Sequence, residues 1–147
     1  MYYAEVSIEA RQAVCDALNF SDDTQRSDLM TPALTSTELI AFLQELLGMR
    51  GGVWRHKLTV TAVRSDHPTP DGPNGHEGGN AIDFVETEVG NAPVHLIGDV
   101  QACPDARGIG LGGYYQDFAE DFGGYSASTK LFEDNSSTHV HVQTAGY

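Results

Sequence analysis

His76-Glu77-Gly78-Gly79-Asn80-Ala81-Ile82-Asp83, taken with His139-Val140-His141 far downstream, decides how this chain folds and what it holds. Ala81 to Val85 and Thr138 to Val142 alternate polar and apolar residues, the period of a half-buried strand. Residues two apart on a strand share a face. Asp83 is thus presented opposite to Ile82 and Phe84, while His139 and His141 point together and Val140 and Val142 enter the core. His76 ends the loop Pro70-Asp71-Gly72-Pro73-Asn74-Gly75, whose Gly and Pro content excludes regular structure. Gly78 and Gly79 let that loop fold back against the next strand. One loop ligand and two strand ligands then converge on a single ion. Catalytic zinc sites have this make-up, three protein ligands and one open position, and water bound there becomes a nucleophile near neutral pH.

The H-x-x-G-x-A-x-D pattern followed by a late H-x-H resembles the zinc peptidases typified by D-alanyl-D-alanine carboxypeptidases, phage L-alanyl-D-glutamate endolysins and the hedgehog signalling domain. The resemblance spans about Ser36 to Tyr147 and is specific only when both halves are taken together. It implies an α+β fold, a small central antiparallel sheet flanked by helices, with residues 1–35 as an N-terminal extension bearing a helix. It implies Zn2+ as the metal, with His76, Asp83 and His141 as ligands and His139 as the catalytic or transition-state-stabilising histidine. Some relatives carry another residue at the first His of H-x-H, so His139 and His141 both stand for the third metal position. Thr61-Ala62-Val63-Arg64-Ser65 occupies the place of a Ser-Gly-Tyr-Arg-Ser stretch, which makes Arg64 the candidate grip on a substrate carboxylate or carbonyl. Asn74 stands where the group usually has Ser. The implied target is a peptidoglycan stem or cross-link peptide, or another cell-envelope peptide, cut by a carboxypeptidase or an endopeptidase.

The rest of the chain fits one domain over residues 1–147. Ser7 to Asn19 reads as a first helix anchored by Ile8, Val14 and Leu18, and Asn19 to Pro32 as a polar, acidic loop. Thr35-Ser36-Thr37-Glu38 reads as a capping box between Thr35 and Glu38. Behind it Leu39, Phe42, Leu43, Leu46 and Leu47 form one helical stripe, closed by Gly48 as a left-handed cap. Lys57 to Val63 reads as a strand with Leu58, Val60 and Ala62 inside. Pro93 to Cys103 is helical only by the resemblance. Gly108-Ile109-Gly110-Leu111-Gly112-Gly113 lacks the strand–helix–strand setting of a dinucleotide loop; the resemblance makes it a strand and turn beside the cleft. Tyr114 and Tyr115 follow as candidate substrate contacts or plain rim aromatics. His56, His67 and His95 lack partners at ligand spacing.

Composition narrows the partners. Eight Lys and Arg against 21 Asp and Glu leave a net charge of −13. Such a surface repels nucleic acid and anionic membranes. It suits a protein kept soluble in high salt, and equally a genome of acidic bias. No secretory signal opens the chain and no stretch reaches the apolar length of a membrane span. A wall-cleaving enzyme of this kind is expected on a virion or released by lysis, with virion proteins as further partners. Cys15 and Cys103 are expected as separate buried thiols. The competing expectations are a non-catalytic, zinc-stabilised structural or adhesion component of a virion, and a zinc-free protein with its histidines packed in the core.

Overall fold

The computed structural model describes residues 6–50, 58–64, 75–86, 99–100, 102–103, 106, 108–111, 130–133 and 140–144. In chain order these give helix α1 (Ile8–Asp16), strand β1 (Asn19–Phe20), helices α2 (Asp23–Met30) and α3 (Thr37–Arg50), then strands β2 (Leu58–Ala62), β3 (Ala81–Glu86), β4 (Gly108–Leu111), β5 (Lys130–Glu133) and β6 (Val140–Gln143). The strands form one sheet in the order β1-β2-β3-β6-β4-β5.

The fold is α+β, as expected, but the sheet is mixed rather than antiparallel. Antiparallel pairing joins β2 to β3, β3 to β6 and β6 to β4. The outer pairs β1–β2 and β4–β5 are parallel. Parallel neighbours need a crossover rather than a hairpin, and α2 and α3 lie in the crossover from β1 to β2.

Alternation sets the two faces of the central strands. Ile82, Phe84, Val140 and Val142 are at most 1% exposed and join one core with Leu39, Phe42, Leu43 and Leu46 of α3 and Leu58 and Val60 of β2. The other face of β3 and β6 carries Ala81, Asp83, His141 and Gln143. In β6 that face is buried as well, so the polar groups on it need partners inside the protein.

The N-terminal helices are built by caps more than by apolar stripes. Ser7 accepts from the Ala10 amide and starts α1. Asp22 accepts from Thr24, and Gln25 reaches back to the Asp22 amide, a capping box that starts α2. Residues 19–32 are therefore a strand and a helix, not the expected loop. Their single fully buried anchor is Leu29, too few apolar residues for periodicity to reveal a helix. The Gln25 amide also donates to the Thr61 carbonyl at 2.7 Å, fixing α2 to β2.

Four local expectations need correction. Ile8 is exposed and anchors nothing, whereas Arg11 of the same helix is buried. The cap of α3 is Ser36, whose hydroxyl accepts from Leu39, because Thr35 is engaged elsewhere. Gly48 does not end α3, which runs on to Arg50; its φ is not positive, so the helix simply passes through it. Ala62 is half-buried and Val63 takes the core position, because β2 shifts register between Val60 and Ala62. A bulge of this kind reverses the inside–outside order beyond it.

Candidate metal centre

Three side chains meet on the polar face of the sheet. Asp83 and His141 are direct cross-strand partners on β3 and β6, and the His141 Nδ1 lies 2.8 Å from the Asp83 Oδ1. His76 comes over them from a turn. The Gly78 and Asn80 amides both donate to the Gly75 carbonyl, and the Gly79 amide donates to the His76 carbonyl. Gly79 sits at φ +74°, a left-handed conformation that glycine adopts without steric cost. The turn sets the His76 Nε2 3.1 Å from the Asp83 Oδ1 and 3.2 Å from the His141 Nδ1.

The outward ring nitrogens fix the tautomers. The His76 Nδ1 is 2.8 Å from the Val63 carbonyl. A carbonyl oxygen only accepts, so Nδ1 carries the proton and Nε2 turns a lone pair inward. The His141 Nε2 lies 3.3 Å from the Gln143 Oε1, which takes that N–H and leaves the Nδ1 lone pair facing inward. Outer partners of this type are how metal-binding imidazoles are held in tautomer and orientation.

Three electron-rich atoms thus face one another with no proton between neutral rings. Only a cation, or added protons, relieves that repulsion. Their separations of 2.8–3.2 Å lie just inside the roughly 3.3 Å between ligands of a tetrahedral ion with bonds of ~2.0–2.1 Å. Two imidazoles and one carboxylate can therefore hold a metal ion here. Burial of Asp83 alone would push its carboxyl pKa up. In the metal-free protein, where added protons fill the triangle, the hydrogen bonds that His141 and His76 then donate to Asp83, with their charges, outweigh burial and hold it well below the usual carboxylate range.

The site is enclosed. The His76, His141 and Asp83 side chains are 9%, 3% and 16% exposed. On the neighbouring strand β4, glycines 110 and 108 pair with His141 and Gln143, so β4 does border the centre as expected; residues 112 and 113 lie outside the described residues.

The structure brings His76, Asp83 and His141 together. Arg64 follows the carbonyl that orients His76, and its Nη1 donates to the Leu34 carbonyl at 3.3 Å. His139 lies outside the described residues, as do His56, His67, His95, Tyr114 and Tyr115 and all of the Pro93–Cys103 segment except residues 99, 100, 102 and 103. Cys15 and Cys103 are both buried and not joined in a disulfide, and burial pushes the Cys15 pKa up. Among the described residues no helix is long and apolar enough to cross a membrane.

Two contributors escaped the sequence. Gln143 had a usable signal, since the strand period places it on the face of His141. The Val63 carbonyl had none, because a backbone group leaves no trace in residue type. Set against known protein families and curated protein sequences, the chain matches none of them.

Proposed function

We propose that this chain is a zinc-dependent peptidase that hydrolyses amide bonds in peptidoglycan stem or cross-link peptides, carried on a virion or released at lysis. The observation that carries this reading is the buried triangle of His76, Asp83 and His141 with all three donor atoms turned inward. Two imidazoles and a carboxylate are a zinc-type donor set. The likeness of H-x-x-G-x-A-x-D and H-x-H to the carboxypeptidase, endolysin and hedgehog group supplies the substrate class.

Zinc held there would polarise the scissile carbonyl and lower the pKa of its water. The remaining work belongs to the chain. Val63 and Gln143 keep both imidazoles in the metal-binding tautomer. Arg64 has one N–H on the Leu34 carbonyl, and its fork carries five donors, enough to hold a substrate carboxylate as well. His139 is assigned to proton relay or oxyanion stabilisation.

The test pairs metal analysis with turnover of purified cell walls. One zinc per chain, lost in Asp83→Ala, with turnover abolished but zinc retained in His139→Ala, is the expected result. Absence of bound zinc in the wild type ends the proposal. The second reading, a zinc-stabilised structural or adhesion component of a virion, is favoured by the depth of the two imidazoles. Zinc retained without turnover of any envelope preparation would establish that reading instead.

A further inference from the structure

We infer that Arg11 is a positioning residue for the metal centre, and that the N-terminal helices brace the turn carrying His76. The inference rests on the metal-binding part of the proposed function and not on peptidase activity.

Arg11 is 1% exposed, a costly place for a guanidinium unless its donors are satisfied. Its Nη1 donates to the Leu29 carbonyl at 2.9 Å and to the Thr35 hydroxyl at 2.7 Å, and its Nη2 donates to the Thr35 carbonyl at 3.0 Å. One rigid fork thereby ties the end of α2 to the residue before the α3 cap. Lysine could not reproduce that geometry.

The segment so held is the one against which the metal turn rests. The Ser36 amide donates to the Gly79 carbonyl at 3.0 Å. The Leu34 carbonyl fills the space where a side chain on Gly79 would begin, and Thr35 Cα stands 3.1 Å from the same point. The same Leu34 carbonyl accepts from Arg64, next in sequence to the residue whose carbonyl orients His76. Leu34, Thr35 and Ser36 therefore touch the metal turn, and Arg11 grips the middle one of them, Thr35. Asp83 and His141 are fixed by sheet pairing. His76 is the ligand placed by a turn, and so the one that depends on this brace.

The inference is tested with cobalt(II) as the probe ion, through its affinity and its visible ligand-field spectrum, in wild type, Arg11→Lys and Thr35→Val. Outer-shell changes at metal sites cost roughly 10–100-fold in affinity. Arg11 and Thr35 act one step further out, so both variants are expected to bind cobalt more weakly by up to that factor, with altered ligand-field bands in the bound state. A merely structural Arg11 would lower the unfolding temperature and leave the bands unchanged, which overturns the inference. Should neither variant fold, hydrogen exchange on the wild type decides. Coupling is reciprocal, so cobalt must slow exchange of the Ser36 amide; an unchanged rate overturns the inference. A wild type that takes up no cobalt overturns both this inference and the metal site on which it rests.

Discussion

Two glycines, replaced by alanine, should move stability in opposite directions. Gly79 holds φ +74°, a conformation costing an L-residue roughly 1–2 kcal/mol. A Cβ there would overlap the Leu34 carbonyl oxygen and stand 3.0 Å from its carbon. Both atoms belong to backbone, so relief requires the connector to move, an overpacking cost of roughly 1–3 kcal/mol. Such movement also strains the Ser36–Gly79 hydrogen bond, worth about 1 kcal/mol. Gly79→Ala should therefore cost roughly 3–6 kcal/mol, a large part of a domain stability of roughly 5–15 kcal/mol. Gly48 lies within α3, and a Cβ there meets nothing within 4 Å. Gly48→Ala should stabilise by up to about 1 kcal/mol through helix propensity. Urea unfolding with chelator present, followed by far-ultraviolet circular dichroism, reads both. With a slope of about 2 kcal/mol per molar, the Gly79→Ala midpoint falls by roughly 1.5–3 M while the Gly48→Ala midpoint rises by up to ~0.5 M. A Gly79→Ala midpoint within ~0.3 M of wild type would refute the close packing of turn and connector.

Two further outcomes concern the metal centre. Gln143→Leu leaves the His141 Nε2–H without its acceptor in a buried place, so metal affinity should drop about tenfold or more, whereas Gln143→Glu keeps an acceptor and most of the affinity; equal affinities in a competition titration would contradict the tautomer assignment. The depressed pKa of Asp83 means that its contribution to metal-free stability is complete above the unfolded carboxylate value of about 4 and declines as pH falls through the lower folded value. The stability gap between wild type and Asp83→Asn, measured with chelator from pH 6 to pH 3, should accordingly shrink below about pH 4, and a gap that stays constant across the range contradicts the pairing.

Periodicity was legible wherever one face of an element meets a continuous core. Ile82 and Phe84 against Asp83, Val140 and Val142 against His141, and the stripe Leu39, Phe42, Leu43 and Leu46 all follow from spacing. Helix α2 was not legible, because caps form it and Leu29 is its single fully buried residue. Thr35 looked like a helix cap and the true cap lies one residue later, since Arg11, distant in sequence, takes the Thr35 hydroxyl. The bulge after Val60 and the two-residue strand β1 are set by partner strands, so no local pattern announces them. At the site the ligand types and spacing were readable. Of the groups that choose which nitrogen faces inward, the Val63 carbonyl was not, because a backbone group leaves no trace in residue type, whereas the strand period that sets Gln143 on the face of His141 was there to be read.

The cross-strand seat of His141 has a kinetic consequence. Asp83 and His141 are 58 residues apart in sequence, whereas His76 and Asp83 are only seven apart. A refolding chain therefore offers an ion two donors early and the third only after β6 has docked beside β3. An ion supplied from the start can act as a late latch on that docking: it slows departure of β6 without hastening its arrival. Metal should lengthen the unfolding half-life while leaving the refolding rate nearly as it was.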